Sequence, residues 1–219
     1  QFYIGNELQP LNYSSYLSLF AWNINAQVSR SFFRDNLRLS LGFRMDANSY
    51  SKKMANMLEQ FSPRFSASYG FTDKLFLNFN TGRYFQQPAY TSMGYRNNNG
   101  TLVNDSAGLR YISCDHIVLG LEYLPKINSK MSLEGFYKIY NHYPFSIMDS
   151  VSLASKGANY DVYGNEALLP ISKGRAYGAE LLYRNGDLFG FNVILSYTFV
   201  RSEFTDYYGK YVPSAWDNR

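Results

Sequence analysis

Side chains that could perform catalysis or bind a metal are few and scattered. His116 and His142 lie 26 residues apart, without cysteines or carboxylates at the spacing of a metal site. Asp115 precedes His116, but no nucleophile-elbow pattern supplies the serine of a hydrolase. Cys114 is the only cysteine, which excludes an internal disulfide and a multi-cysteine metal site. We therefore predict no catalytic residue, no metal and no cofactor, and we expect the chain not to be an enzyme.

The composition points away from a water-soluble surface. Aromatic residues reach 18% of the 219 residues, whereas charged residues stop at 17%, below the roughly 25% of an average globular protein. A protein whose exterior faces lipid has this balance. The net charge of +4 is spread along the chain, with Lys52 and Lys53 as the nearest approach to a cluster. We therefore predict no nucleic-acid partner.

The hydrophobic pattern predicts strands rather than membrane-spanning helices. No apolar run approaches the roughly 18 residues that a transmembrane helix needs. Instead, eight segments alternate apolar and polar residues with period two, as the strands of a membrane barrel do. In the cleanest segment Leu37, Leu39 and Leu41 alternate with Arg38 and Ser40. The eight segments are 20–29, 37–46, 64–69, 75–80, 116–123, 132–139, 177–183 and 191–199. The fold class is therefore predicted to be all-β, an antiparallel transmembrane β-barrel.

The connections between these segments alternate in length. Short turns are predicted at 34–36, 72–74, 125–130 and 185–187, where Asn, Asp, Gly and Pro favour tight connections. Long polar stretches lie at about 47–61, 86–112 and 145–172. Membrane barrels pair short periplasmic turns with long extracellular loops in this way. Residues 1–15 and those after about 206 are expected to lie in loops.

Six charged residues fall on the predicted polar face, which would line the lumen. They are Arg44, Arg64, Glu122, Glu134, Lys138 and Glu180. Opposite charges there are expected to pair across neighbouring strands. The alternative function is to line a path for a substrate.

Aromatic residues in the long loops are candidates for ligand contact. Tyr90, Tyr95, Tyr160 and Tyr163 stand in loops that also carry amides, a combination that suits amphipathic ligands such as sugars. The alternative is the aromatic girdle at the membrane interface, to which we assign the strand-end residues Tyr84 and Tyr143.

A series of motifs carries a family resemblance. They are 62–65 (SPRF), 79–88 (FNTGRYFQQP), 116–123 (HIVLGLEY), 133–138 (LEGFYK) with Tyr140, 174–181 (GRAYGAEL), 195–198 (LSYT) and 216–219 (WDNR). In this order, at the spacing of hairpins, residues from about 62 onward resemble the C-terminal half of a TonB-dependent outer-membrane receptor barrel. Residues 1–61 match only in pattern.

The resemblance implies that residues 1–219 form part of a barrel of about twenty-two strands, with eight strands here and without the plug domain. It further implies location in the bacterial outer membrane, and a receptor that takes up a scarce nutrient (siderophore, glycan, peptide or similar) with energy from TonB. The implied partners are outer-membrane lipid, the plug and, through it, TonB, and an unidentified nutrient. Polar-face charges would then also be able to dock the plug. Two alternatives stay open, namely a passive porin or structural barrel, and a secreted carbohydrate-binding β-sandwich.

Overall fold

The structure, a computed structural model, describes residues 2–4, 7–9, 15–97, 99–156 and 163–217. The strands are β1 (Phe2–Ile4), β2 (Glu7–Gln9), β3 (Ala21–Phe32), β4 (Leu37–Asn48), β5 (Phe61–Thr72), β6 (Leu75–Gln86), β7 (Ile112–Lys126), β8 (Ser129–Ser146), β9 (Val151–Ser152), β10 (Leu168–Leu188), β11 (Phe191–Thr205) and β12 (Tyr211–Pro213). Short helices α1 (Lys52–Ala55), α2 (Tyr90–Met93) and α3 (Val103–Ser106) and 3-10 turns at Met57–Gln60 and Leu153–Ser155 lie between strands.

Strands β3 to β12 form one antiparallel sheet in the order β12-β11-β10-β8-β7-β6-β5-β4-β3, with β9 beside β8. Its eight long strands are the eight that the alternation predicts. The sheet does not close on itself within the described residues. The separate pair β1 and β2 lies where a loop was expected.

Three of the four predicted short turns are confirmed, at Phe33–Asn36, 73–74 and 127–128. The fourth prediction was wrong, because residues 185–187 belong to β10 and the chain reverses at 189–190. Phe189 and Gly190 both have positive φ, of 55° and 82°, as a tight hairpin turn requires. The register shifts between Asn185 and Leu188. The turn-like letters at 185–187 therefore mark an irregularity within the strand.

The strands are staggered by one residue each. One transverse row of paired residues consists of Leu41, Phe65, Thr81, Ile117, Tyr137, Tyr177 and Arg201. The number of residues between this row and the end of the strand at the short turn increases across the sheet. It is four in β4, six in β6, eight in β8 and ten in β11. A shift of about 3.3 Å per strand spacing of about 4.8 Å tilts the strands by about 35°. Membrane barrels have tilts in this range.

The register brings like faces together. Apolar residues pair with apolar residues from strand to strand, as Leu39 does with Ala67 and Leu121 with Leu133. Outward leucines stay open, with Leu41 60% and Leu195 62% exposed. Such a wide exposed apolar face would aggregate in water. Lipid is the environment that suits it.

None of the helices in the described residues is long and apolar enough to cross a membrane.

The long loops fold against one another at one end of the sheet. Their apolar cluster consists of Tyr50, Met54, Met93, Leu109 and Tyr111, all buried. Asn104 is fully buried beside it and donates from Nδ2 to the carbonyls of Ser92 (2.7 Å) and Glu166 (2.9 Å). Its Oδ1 accepts from the Leu168 amide at 2.8 Å. One side chain therefore joins two loops to the start of β10.

Candidate ligand-binding site

Three flat side chains from adjacent strands stack on the polar face of the sheet. This basic stack consists of Arg64 on β5, Tyr84 on β6 and His116 on β7. The guanidinium carbon of Arg64 lies 4.4 Å from the centre of the Tyr84 ring. The Tyr84 and His116 rings are 4.2 Å apart between centroids and inclined by 28°. The stack therefore presents a cation and two aromatic rings along one stretch of wall.

Gly82 gives the stack its space. It pairs with Arg64 on one side and with His116 on the other. A Cβ at this position would stand 2.9 Å from the Pro63 carbonyl oxygen and 3.2 Å from the Tyr84 ring. The absence of a side chain there lets Tyr84 lie between its two neighbours.

A polar cavity of about 470 Å³ opens beside the stack, near the loops. Arg44 and Asp46, from the same strand, form an ion pair on its wall with a shortest distance of 2.6 Å. Arg64 and Tyr111 also line the cavity. The Arg64 Nε is buried and has no hydrogen-bond partner among the described residues. The cavity thus combines a neutralised pair with a cation that forms no ion pair there.

The acidic residues of the polar face lie nearer the turns. Glu134 on β8 stands opposite Glu180 on β10, and neither forms an ion pair with any residue that the structure describes. Four residues further toward the loops, Lys138 stands opposite His116. The Lys138 ammonium lies 5.0 Å from the centre of the Phe136 ring. The polar face therefore carries an acidic row, Glu134 and Glu180, nearer the turns, and a basic row, Lys138 and His116, nearer the loops.

The predicted pairing of opposite charges across strands is confirmed only in part. Glu122 accepts from the Lys130 ammonium of the neighbouring strand at 2.8 Å. Arg44 pairs instead along its own strand with Asp46. Glu134 and Glu180 form no such pair with each other, because the register sets two carboxylates opposite each other. The alternation along a single strand does not predict which residues of the neighbouring strand lie opposite, because it carries no information on the register between strands.

Both girdle assignments were wrong. Tyr84 belongs to the basic stack on the polar face. Tyr143 packs against Phe204 and Tyr140, at centroid distances of 4.7 and 6.4 Å. His142, with a positive φ of 58°, interrupts the alternation just before Tyr143. Tyr143 therefore turns toward the same side as Tyr140.

The loop tyrosines do not come together. Tyr90 is 69% exposed at the start of α2, and Tyr95 is half-buried. The Tyr163 hydroxyl donates to the Leu153 carbonyl at 2.5 Å, and burial, together with neighbouring Tyr143, raises the pKa of this hydroxyl. Tyr160 lies outside the described residues. The hydrogen bond of Tyr163 stabilises the loop rather than presenting its hydroxyl to a ligand. Tyr90 is the most exposed of the three described candidates.

Sequence reasoning assigned Tyr84 to the girdle and did not name Tyr111 or Asp46 as residues of the site. Asp46 ends the polar side of a predicted strand, and Tyr84 occupies a polar position of β6 if the alternation is extended beyond Asn80. These two had a usable signal. Tyr111 had none, because it reaches the cavity through the folding of a loop. Among the residues described, no group of three or more His, Cys, Asp or Glu side chains is placed to hold a metal.

The architecture defines a class of protein. Eight long tilted antiparallel strands, apolar on one face and polar on the other, with short turns at one end and long loops at the other, are the wall of a transmembrane β-barrel. The chain belongs to the TonB-dependent receptor-like β-barrel family, which matches residues 2–217. The match includes residues 2–61, where the motifs gave only a pattern. Barrels of this family are outer-membrane proteins of Gram-negative bacteria and serve as transport receptors. The apolar face of the sheet has the character that the outer surface of such a barrel requires.

Solved structures agree on the fold. The alcaligin outer-membrane receptor FauA of Bordetella pertussis has 17% identity and a TM-score of 0.54, covering 90% of this chain and 32% of that one. The siderophore receptor PirA of Pseudomonas aeruginosa has 17% identity and a TM-score of 0.59, covering 85% and 36%. The ferripyoverdine receptor of P. aeruginosa has 17% identity and a TM-score of 0.59, covering 89% and 24%. The chain thus spans about a quarter to a third of these receptors. No curated protein sequence matches it.

Proposed function

We propose that this chain is a wall segment of an outer-membrane receptor that takes up a scarce nutrient with energy delivered by TonB. Membership of the receptor family over residues 2–217 is the observation that carries the proposal. In this proposal the segment supplies wall, loops and part of the ligand path, and performs no catalysis.

The acidic row supports the presence of a partner inside the barrel. Two carboxylates that face each other on adjacent strands repel, and a cation between them would relieve the repulsion. A plug domain that fills the lumen and carries Arg or Lys at this level would provide one. We therefore propose that Glu134 and Glu180 contact the plug, through which TonB acts.

The basic stack and its cavity support a negatively charged nutrient. Arg64 forms no ion pair with the described residues, and Tyr84 and His116 offer ring faces beside it. Carboxylates or other anionic oxygens bind strongly to a guanidinium, and flat ligands stack on aromatic rings. The structural neighbours are receptors for alcaligin and for ferripyoverdine, so ferric siderophores are the first ligands to test. Tyr90 and Tyr95 stay candidates for contacts in the loops.

The test uses the full-length receptor in cells that lack their other iron receptors. Uptake of radiolabelled iron is measured with a panel of ferric siderophores, in the presence and absence of TonB. We expect uptake of at least one compound that requires TonB and falls roughly tenfold with Arg64→Gln. Arg38→Gln is the matched control, since Arg38 lies on the same face near the turn end of β4 and should leave uptake unchanged.

The outcomes separate the alternatives. Uptake that continues without TonB would indicate a passive porin and contradict the proposal. TonB-dependent uptake that Arg64→Gln leaves unaltered would keep the receptor but refute the assigned ligand contact.

A further inference from the structure

The lipid-facing side of the sheet is not uniformly filled. A groove of about 560 Å³ runs over β7, β8, β10 and β11. Gly135 and Ala179, paired across β8 and β10, form its floor. Leu119 and Phe199 flank them in the same transverse row, and Tyr137 and Tyr177 stand toward the loops. We call this depression the wall groove.

The rings at the upper end of the wall groove are fixed with respect to each other. Tyr137 and Tyr177 are 6.1 Å apart between centroids and inclined by 21°. On the opposite side, toward the turns, the next row places Leu133 beside Leu181. The groove therefore has a short floor of small residues between larger apolar and aromatic side chains, a lining that suits a hydrocarbon chain.

A cation stands at the loop end of the groove. Arg201 pairs with Tyr177 and follows Phe199 by two residues on the same face of β11. Its Nε is buried without a hydrogen-bond partner, and the side chain forms no ion pair within the described residues. Arg201 lies ten residues above the turn end of β11, which is a height of about 27 Å at the strand tilt given above. The apolar band of such barrels is about 25 Å tall, so this guanidinium lies at the level of the lipid headgroups.

Two pairs of charged residues on this face neutralise each other. Arg175 donates to Glu203 at 2.8 Å and also lies 4.4 Å from the centre of the Tyr211 ring. Arg83 and Asp115 form a second pair on this face, at 2.6 Å. Arg201 is therefore a cation beside the groove that forms no ion pair among the residues that the structure describes.

We propose that the wall groove and Arg201 together bind one lipid of the surrounding outer leaflet, with an acyl chain on Gly135 and Ala179 and an anionic phosphate on the Arg201 guanidinium. The apolar groove favours binding of the acyl chain, and the Arg201 guanidinium favours binding of a negatively charged headgroup. The site lies on the outside of the wall and is separate from the nutrient path.

The test is native mass spectrometry of the detergent-purified full-length receptor, equilibrated with an equimolar mixture of dioleoyl phosphatidylglycerol and dioleoyl phosphatidylcholine. We expect the wild type to retain one molecule of the anionic lipid with a preference of roughly fivefold. Arg201→Gln should abolish the preference, and Arg201→Lys should keep most of it. Arg30→Gln is the matched control, because Arg30 faces lipid near the opposite end of β3, away from the groove.

A second variant tests the hydrocarbon part independently. Gly135→Leu places apolar bulk on the groove floor, and its Cβ has room there, because the nearest atom to an added Cβ is the Gly178 carbonyl oxygen at 4.0 Å. Retention of both lipids should fall in this variant. Equal retention of the two lipids by the wild type, an unchanged ratio in Arg201→Gln, or a groove-dependent dimer in place of bound lipid would overturn the proposal.

Discussion

At the scale of single residues, the site depends on a position that carries no side chain. Gly82 lies between Arg64 and His116 and leaves room for the Tyr84 ring. The stack is thus made by the side chains of Arg64, Tyr84 and His116, and Gly82 leaves the space that they need. Sequence alone placed Arg64 on the polar face, because Arg64 occupies a polar position of an alternating strand, and His116 occupies such a position too. It could not place Tyr84 beside them, since register and stacking are properties of neighbouring strands.

Replacing Gly82 with Ala should disturb the stack. The new methyl group would meet a backbone oxygen at 2.9 Å, so the strand or the Tyr84 ring must move. We expect a loss of about 1–3 kcal/mol in the free energy of unfolding of the full receptor, measured by denaturant titration in lipid vesicles. Gly135→Ala is the control, because its nearest neighbour is at 4.0 Å. Equal stability of the two variants would contradict the crowding at Gly82.

At the scale of elements, each strand separates an apolar face from a polar one. The alternation along β4, with Leu37, Leu39 and Leu41 against Arg38 and Ser40, suffices to predict this separation. The turn after β10 was not predictable in the same way, because Asn185 and Gly186 suit either a turn or a bulge. The positive φ at Phe189, a residue type that rarely adopts it, decides where the chain reverses.

Adjacent residues of β7 should differ sharply in their tolerance of charge. Leu121→Arg puts a cation on the lipid face and should cost on the order of 2–4 kcal/mol of unfolding free energy near mid-membrane. Glu122→Gln removes one ion pair with Lys130 on the polar face, which is partly exposed, and should cost less than about 1 kcal/mol. Both values come from unfolding titrations of the full receptor in vesicles. Similar losses for the two variants would mean that the faces are assigned wrongly.

The loops form an element of their own through Asn104. Asn104→Ala leaves two carbonyls and one amide of the loop backbone without their partner, and a buried unpaired group costs roughly 1–3 kcal/mol. We expect limited proteolysis to cut near α2 and α3 much faster than in the wild type. Asn99→Ala is a suitable comparison, because Asn99 is exposed. Unchanged cleavage would show that the apolar cluster alone holds the loops.

At the scale of the whole molecule, the sheet is an open wall with one apolar and one polar face, and the two faces suit different surroundings. The sequence predicts the wall because period-two alternation repeats eight times with alternating connection lengths. It does not predict the opposed pair Glu134 and Glu180, or the position of Arg201 above the wall groove without an ion pair among the described residues, since both arise from the pairing of neighbouring strands. The features that suggest partners, namely the plug, the nutrient and a lipid, therefore become visible only with the register.

Because of the one-residue stagger, each transverse row of paired residues rises steadily from one strand to the next. Along one transverse row, the height of the residues above the short turns increases from about 11 Å in β4 to about 27 Å in β11. The residues of the row change accordingly, from Leu41 and Phe65 through Tyr137 and Tyr177 to Arg201. Neighbours across a hydrogen bond thus differ in immersion depth, and a depth-sensitive probe should report this slope around the circumference.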